Sequence, residues 1–291
     1  TTHRRTNGSL LMSHTRLSRS YSVPYPDSYT RFNQIYKDLW WFGQEIAPRG
    51  AKTKELRSYT YRLAPYYRLA DFASRPLNYD YIRSEFRWYL IGDLRDLSIA
   101  KHAKIWEQCV TDGQLNSNYG HYLFRLPGGI QYVVQVLQQD PESRRAIATI
   151  LNYPHLYLEN KDVPCTSTLN FHLREGKLHC QVHMRSQDAV FGLGNDVPFF
   201  GFVQDLVLAL LNGRRNYFAE YELGDLTVHV DSLHVYERHF AMVEKLQGEK
   251  PVGEEQAKIP GKPLQAYEAS KLLEQVPDMN FEFTRWLYAS V

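Results

Sequence analysis

A cysteine in a setting that suits a nucleophile stands at position 165, where a polar loop leads into an alternating, strand-like run. A cysteine thiolate is a strong nucleophile, and a junction between a loop and a strand can present it to a ligand. A single cysteine is nevertheless more often an inert core residue, which is how we interpret Cys109 and Cys180. The assignment of Cys165 as a nucleophile therefore depends on the polar groups that join it.

Candidate partners for this thiol follow in the glycine-rich segment 184–196, just ahead of a long apolar stretch. Arg185 and Ser186 suit a phosphate group, because a guanidinium offers two parallel donors and a hydroxyl offers one more. A guanidinium beside a thiol also favours the thiolate, so we expect a lowered thiol pKa. A surface pair of arginine and aspartate explains the same local pattern, and the segment alone does not decide. The segment also contains Asp188, Asn195 and Asp196.

Composition excludes several classes of protein. The formal net charge is only +2, whereas proteins that bind nucleic acids usually carry a strong basic excess. The three cysteines are widely spaced and form no CxxC pair, so we expect neither a metal site nor disulfides, and a reducing compartment. Neither a membrane-spanning run nor the apolar core of a signal peptide is present in the sequence. These features predict a soluble, cytoplasmic protein without nucleic-acid or membrane partners.

Hydrophobic periodicity predicts alternating helices and strands along most of the chain. Helices are predicted at 29–42, 79–91, 129–139, 197–211 and 264–275, and the fourth is apolar nearly all round, as a buried helix should be. Strands are predicted at 56–63, 166–173, 178–185 and 217–236, the second and third joined by a hairpin turn at 174–177 and the last interrupted at Gly224 and Asp225.

The remaining segments complete the predicted organisation. Residues 232–246 form either a helix or a strand that runs into one, and the glycine- and proline-containing segment 248–263 is expected to be an exposed loop. Residues 1–27 show no clear periodicity and are predicted to be a flexible arm. Residues 28–291 then form a single α+β domain.

Seven short motifs follow one another at compatible spacings between residues 81 and 240. They are EFRWY (85–89), IWE (105–107), NSNYG (116–120), PESRR (141–145), CT (165–166), RSQD (185–188) and SLHVY (232–236). In this order they resemble the thymidylate synthase superfamily, and within it the deoxycytidylate hydroxymethylases of bacteriophages most closely. The resemblance implies a single thymidylate synthase-like catalytic domain with a large mixed sheet, flanking helices and a sheet face used for dimerisation.

The resemblance also implies catalytic and phosphate-binding roles. Cys165 is expected to add to C6 of a pyrimidine, Glu85 to organise water and protons near the base, and Tyr119 to lie near C5. Arg185 and Ser186 are expected to hold the 5′-phosphate of a pyrimidine nucleoside monophosphate.

Further implied contacts involve the sugar, a second subunit and a folate. His234 and Tyr236 resemble the pair that contacts the sugar, and Arg144 and Arg145 resemble a double arginine that reaches the partner's phosphate in a homodimer with shared active sites. Lys52, Lys54 and Arg57 lie where the family often places a mobile phosphate-binding arginine, but none of them is assigned. The residues expected to face the co-substrate 5,10-methylenetetrahydrofolate are Asp188 and Trp106.

Two departures from thymidylate synthase predict the substrate and the product. Read from Asp188 without a gap, Asp196 takes the place of the asparagine that pairs with uracil, and a carboxyl that is protonated or shares a proton with N3 suits cytosine. A gap of one residue would place Asn195 there instead and restore uracil. The dipeptide Cys165–Thr166 replaces Cys–His, as in the hydroxymethylases, which favours attack by water over hydride transfer.

The sequence therefore predicts a cytidylate 5-hydroxymethyltransferase, with dCMP favoured and CMP possible. Two alternatives stay open. One is an enzyme that methylates or hydroxymethylates dUMP. The other, from a different class, is an inactive homologue that binds a nucleotide or RNA.

Overall fold

The computed structural model describes residues 28–65, 71–157, 159–213, 220–250, 252 and 263–289. The predicted N-terminal arm lies outside these residues, as does most of the predicted loop 248–263.

A mixed sheet forms the centre of the described structure. Its strands are β1 (Gln44–Ile46), β2 (Thr53–Leu63), β3 (Ile147–Thr149), β4 (Thr166–Arg174), β5 (Lys177–Met184), β6 (Gln187–Asp188) and β7 (Glu222–Tyr236). The order across the sheet is β1-β2-β7-β5-β4-β3, and β6 pairs with the far end of β7. Pairing with β7 is parallel for β5 and β6, whereas the other neighbours are antiparallel. The predicted α+β architecture with a large mixed sheet is confirmed.

Helices flank this sheet. They are α1 (Ser28–Phe42), α2 (Tyr79–Ile91), α3 (Ile105–Cys109), α4 (Ile130–Gln139), α5 (Gly192–Asn212), α6 (Phe240–Leu246), α7 (Ala266–Leu273) and α8 (Glu282–Leu287). Asn78 caps the start of α2, because its side chain accepts a hydrogen bond from the backbone N–H of Tyr81, and Gly92, in the left-handed conformation, caps its end. These boundaries match the predicted helix 79–91.

The apolar helix α5 is the core helix of the domain. By length and composition it could cross a membrane, but 78% of its most apolar window is buried inside the structure. It packs against the sheet through β5 and β7. It carries Asp196 just after its first turn, so the burial of this helix also fixes the place of that carboxyl.

The hairpin between β4 and β5 forms as predicted. Its two turn residues, Glu175 and Gly176, have φ values of 51° and 76°, which is the turn geometry that suits the twist of paired strands. The predicted break at Gly224 is wrong, because β7 is continuous from Glu222. A side chain at Gly224 would lie 2.6 Å from Nδ1 of His179, so the glycine permits a close approach of two strands instead of ending one.

Other parts of the fold refine the prediction or depart from it. Segment 232–246 is a strand to Tyr236 and a helix from Phe240, which is the second of the two alternatives. The short edge strands β1 and β3 were not predicted. The helix α8 was not predicted, and it buries Phe283 and Leu287.

Candidate active site

The thiol of Cys165 lies just before β4 and faces the arginine predicted to join it. Nη2 of Arg185 lies 3.6 Å from Sγ of Cys165. The same guanidinium donates from Nε to the carbonyl of Pro164 at 3.0 Å and from Nη2 to the carbonyl of Val163 at 2.5 Å. The backbone N–H of Arg185 donates to the carbonyl of Cys165 at 2.9 Å. The predicted pairing of thiol and guanidinium is therefore present, and Arg185 also holds the loop that carries the cysteine.

The predicted lowering of the Cys165 pKa is wrong for the protein without a ligand. Burial raises the pKa of this thiol above its ordinary value, Arg185 acts against that effect, and the carboxylates of Asp196 and Asp162 add to it. Arg185 is an exposed residue, so water screens the charge that the sequence argument assigned to it. The thiolate form is consequently a minority species at neutral pH.

Asp196 is a half-buried carboxyl held by a chain of two side chains. Nε2 of Gln187 donates to Oδ2 of Asp196 at 3.0 Å, and the hydroxyl of Tyr61 donates to Oε1 of Gln187 at 2.9 Å. Burial raises the pKa of Asp196 to about 7, the bond from Gln187 opposes this, and the charge of Asp188 adds to it. Asp196 therefore changes protonation near neutral pH, as a group that shares a proton with a base must.

Glu85 is a buried carboxyl on α2. The hydroxyl of Tyr81 donates to its Oε1 at 2.8 Å, and Nε1 of Trp106 donates to that hydroxyl at 3.0 Å. Burial raises the pKa of Glu85 to about 8; the bond from Tyr81 opposes this and the charge of Asp196 adds to it. The predicted folate-facing Trp106 is thus connected to the predicted catalytic Glu85 through Tyr81.

Tyr119 completes the group around the thiol. Its ring stacks on that of Tyr89, with centroids 5.3 Å apart and an angle of 6° between the planes. Burial raises the pKa of Tyr119 well above its ordinary value, and the charges of Cys165 and Asp196 add to this effect, against hydrogen bonding with Thr166. The hydroxyl therefore stays protonated at neutral pH and is a hydrogen-bond donor beside the thiol.

The four predicted catalytic residues form one electrostatic cluster. The charge of Asp196 contributes to raising the pKa values of Cys165, Glu85 and Tyr119. Such interactions require short separations through a medium of low dielectric constant. The structure brings together, from four different segments, residues that are separated by up to 111 positions in the sequence.

The ends of β6 and β7 place three further predicted residues at one edge of this cluster. Asp188 is paired with His234, and Oδ1 of Asp188 accepts hydrogen bonds from the backbone N–H groups of Val190 and Phe191 at 2.7 and 3.1 Å. His234 is buried, and its ring meets that of Tyr236 edge to face at 5.2 Å. His234 and Tyr236 therefore share a strand face, as their spacing predicts.

Ser186 and Asn195 are near the cluster but less defined by contacts. Ser186 follows Arg185 in the bend between β5 and β6, and it is half-buried. Asn195 is half-buried in the first turn of α5, next to Asp196.

Arg144 and Arg145 do not lie at the cluster of their own chain. Both are exposed in the segment before β3. The pairing of β3 with β4 puts the N-terminal end of β3 beside Phe171. The N–H of Phe171 donates to the carbonyl of Ala146. Phe171 is six residues along β4 from Cys165, which corresponds to roughly 20 Å of extended chain. The structure therefore does not bring these two arginines to the cluster of their own chain.

Sequence analysis missed several residues of the cluster. Gln187 and Tyr61 hold Asp196, and Tyr81 holds Glu85. Arg49, in the turn between β1 and β2, acts to lower the pKa of Cys165, although Lys52, Lys54 and Arg57 were the candidates considered. Gln187 lies inside the RSQD motif and could have been noticed there, whereas only the sheet pairing brings Tyr61 and Arg49 into place. Asp162 accepts two hydrogen bonds from Ser117 and so connects the loop before Cys165 to the NSNYG segment.

Comparison with known proteins identifies the class to which this fold and site belong. The family model described as thymidylate synthase matches residues 30–275. The chain therefore belongs to the thymidylate synthase family, a family of enzymes, and the family predicted from the seven motifs is confirmed.

Individual relatives have different named substrates. The deoxycytidylate 5-hydroxymethyltransferases of Enterobacteria phages T4 and T2 are each 36% identical over 178 residues, which is 58% of this chain and 71% of the relative. The deoxyuridylate hydroxymethyltransferase of Bacillus phage SP01 is 27% identical over 233 residues, which is 73% of this chain and 59% of the relative.

Proposed function

We propose that this protein is a hydroxymethyltransferase that converts a cytidine monophosphate, preferably dCMP, to its 5-hydroxymethyl derivative. The observation that carries the proposal is the carboxyl of Asp196, which is held by Gln187, is coupled to Cys165, Glu85 and Tyr119, and has a pKa of about 7. The relatives named as deoxycytidylate 5-hydroxymethyltransferases support it.

The first step in this proposal is addition of the Cys165 thiolate to C6 of the ring. As the C–S bond forms, the C5=C6 electron pair moves between C4 and C5, and the C4=N3 pair moves onto N3. N3 then takes a proton, for which Asp196 is the acid, and C5 becomes an enamine-like nucleophile. This is covalent catalysis, in which one difficult step becomes two easier ones.

The cosubstrate 5,10-methylenetetrahydrofolate would supply the one-carbon unit at C5. The residues at the edge of the cluster fit a folate. There, Oδ1 of Asp188 accepts hydrogen bonds from two backbone N–H groups, which hold this carboxylate in a fixed position. Trp106, whose Nε1 donates to the Tyr81 hydroxyl, offers an aromatic surface near Glu85. These two residues are the ones we propose to hold the folate.

Tyr119 and Glu85 would manage the protons and the water of the later steps. We propose that Tyr119 takes part in removal of the C5 proton, and its high pKa makes it a relay for that proton and not a resting anion. Glu85, with a pKa of about 8, can accept a proton from an attacking water near neutral pH. Loss of the C5 proton would release tetrahydrofolate from the one-carbon unit and leave an exocyclic methylene. Addition of water to this methylene then gives the hydroxymethyl group, and loss of Cys165 from C6, with return of the N3 proton to Asp196, restores the ring.

A second candidate, hydroxymethylation of dUMP, is favoured by the relative from phage SP01. It requires a donor toward O4 of uracil, which Asn195 would provide if it replaced Asp196 at the base. Asp196 is the more suitable of the two positions, because it is bonded to Gln187 and coupled to the catalytic groups.

We also propose a homodimer with shared sites. The face of the sheet opposite α5 presents polar, incompletely buried side chains, namely Thr168, Asn170 and His172 on β4 and His179, Gln181 and His183 on β5. Docking of a second copy on this face would bring Arg144 and Arg145, which are remote from their own Cys165, to the partner's phosphate.

The test is product analysis with the full-length protein, 5,10-methylenetetrahydrofolate, and dCMP, CMP or dUMP in parallel. Formation of the 5-hydroxymethyl derivative of a cytidylate, with dCMP used best, is the expected result. Turnover of dUMP without turnover of either cytidylate would overturn the assignment of the base. Formation of a 5-methyl product would overturn the water step.

A further inference from the structure

The amide of Gln187 is held in one orientation by its two neighbours. Tyr61 and Gln187 are 1% and 2% exposed, so neither side chain can exchange its partner for water. The Tyr61 hydroxyl donates to Oε1, which directs the Nε2 donor at Oδ2 of Asp196. The reverse orientation would oppose the amide carbonyl to the carboxylate, an arrangement that only a protonated Asp196 could satisfy.

The absence of a side chain at Gly192 leaves space for the hydrogen bond between Gln187 and Asp196. A Cβ atom at Gly192, at the start of α5, would lie 3.2 Å from Oδ2 of Asp196 and 3.7 Å from Cγ of Gln187. The glycine therefore leaves room for the contact between Gln187 and Asp196 near the N-terminal end of the helix.

We propose that Gln187, oriented by Tyr61, is a positioning residue that stabilises the Asp196 carboxylate as its proton passes to N3 of cytosine, and that this makes the site selective for cytosine over uracil. The inference rests on the proposed function. Proton transfer leaves negative charge on Asp196, and a donor already aimed at Oδ2 stabilises that charge without rearrangement.

Selectivity follows from the same bond. Uracil presents O4, an acceptor, and to satisfy it Asp196 would have to keep its proton and donate it. A donor from Gln187 favours the ionised carboxylate over the protonated form, so it disfavours the state that uracil needs. Cytosine presents a 4-amino donor and an N3 that takes the proton, and both pair with the carboxylate that Gln187 stabilises.

Other titratable groups face Asp196 and will contribute to any pH dependence. They are Asp188 on β6, Glu85, Tyr81 and Tyr89 on α2, Tyr119 before the π-helical turn His121–Arg125, Tyr61 on β2 and Cys165 before β4. Because Glu85 and Asp196 are coupled, the pKa read from one limb of a pH–rate profile describes the titration of both residues together. The informative quantity is the change in that limb between variants.

The experiment compares kcat/KM for dCMP and dUMP in the wild type, Gln187→Met and Tyr61→Phe. Methionine keeps the volume of glutamine and removes the donor, and phenylalanine removes the hydroxyl that orients the amide. Tyr59→Phe is the matched control, since Tyr59 lies on the same strand but donates to Asp38 at 2.5 Å.

We expect Gln187→Met to lower the ratio of dCMP to dUMP specificity by about tenfold or more, as loss of a hydrogen bond to a charged group implies. Tyr61→Phe should lower it in the same direction, and Tyr59→Phe should leave it unchanged. The acid limb of the dCMP profile should move to higher pH in Gln187→Met, which a purely structural role would not cause.

An unchanged ratio and an unmoved acid limb in a folded Gln187→Met enzyme would overturn this inference alone. If that variant does not fold, Tyr61→Phe decides, and an unchanged ratio there has the same meaning. A wild-type enzyme without turnover of dCMP or CMP would overturn the proposed function, and this inference with it.

Discussion

Arg185 lies 3.6 Å from the sulfur of Cys165, and yet the pKa of that thiol is raised. Burial and the carboxylates of Asp196 and Asp162 outweigh the exposed guanidinium. The pKa of the thiol therefore lies above that of Asp196. When the two groups hold one proton between them, the proton is mostly on the sulfur. The reactive form, in which Cys165 is a thiolate and Asp196 is protonated, is then the minor one.

This relationship predicts the pH dependence of turnover. The singly protonated state is populated between the pKa values of Asp196 and Cys165, so kcat/KM for dCMP should rise through a range of about 7 to 8, where Asp196 and Glu85 titrate, and fall only above the ordinary thiol pKa. Steady-state rates from pH 5.5 to 10 measure this. A profile that falls between pH 6 and 8 would contradict the predicted order of the two groups.

The nucleophile itself is tested by Cys165→Ser. A serine hydroxyl is far less acidic than a thiol, so turnover should fall by about 10³-fold or more. Cys109→Ser is the matched control, because Cys109 is a half-buried cysteine on α3 without an assigned role, and it should stay active. A dCMP analogue with fluorine at C5 should form a stable adduct on the peptide that contains Cys165, detected by mass spectrometry. Normal turnover by Cys165→Ser would exclude the covalent mechanism.

Asp196→Asn tests the choice of base. An amide can donate to O4 and accept from N3–H of uracil but cannot give a proton to N3 of cytosine. The ratio of dCMP to dUMP specificity should therefore fall by about tenfold or more, and the acid limb near pH 7 should weaken. Asn195→Ala tests whether the neighbouring residue contacts the base instead. A change of preference in Asn195→Ala, and not in Asp196→Asn, would move the base contact to the neighbouring residue.

The fold was largely predictable because its signals are local. The periodicity of residues 79–91 and the two-residue turn at Glu175 and Gly176 depend on neighbouring residues alone, and both were predicted at the correct positions. Gly224 misled the prediction, since its role depends on the distant His179. Edge strand β1 was missed because three residues carry too little pattern.

The candidate active site was likewise predictable only where its signals are local in sequence. Cys165 and Arg185 were identified from a motif, and the structure brings them together. The partners of Asp196 could not all be deduced, because Tyr61 is 135 positions away in sequence and only the pairing of β2 with β7 brings it near. The direction of the Cys165 pKa was wrong, because burial, which opposes the charge of Arg185, is not visible in a motif.

The carboxyls of Glu85 and Asp196 predict a dependence of stability on pH. Glu85 and Asp196 have folded pKa values of about 8 and about 7, above their ordinary values. The folded state therefore binds more protons than the unfolded state between about pH 4 and 8, and the free energy of unfolding falls as pH rises through that range. Glu85→Gln should reduce this fall by about 2–4 kcal/mol, measured by chemical unfolding at pH 5 and pH 8.

The control for this prediction is Glu274→Gln, since Glu274 is exposed on the surface beside Lys271. It should leave the difference between pH 5 and pH 8 unchanged. An equal difference in wild type and Glu85→Gln would mean that Glu85 is not held in a buried, protonated form.

Shared active sites predict complementation between inactive variants. In a heterodimer of Arg144→Ala and Cys165→Ala chains, one site combines an intact Cys165 with an intact Arg144 from the other chain. Mixing the two variants should restore up to about a quarter of wild-type activity, the statistical yield of one working site in half of the dimers. Arg145→Ala should behave like Arg144→Ala.

Arg185→Ala is the discriminating control, because Arg185 bonds to Cys165 within one chain. Its mixture with Cys165→Ala leaves a defect in both sites of a heterodimer, so no activity should return. Sedimentation at assay concentrations should show a dimer. A monomer, or equal recovery in both mixtures, would contradict the idea that Arg144 acts on the partner's site.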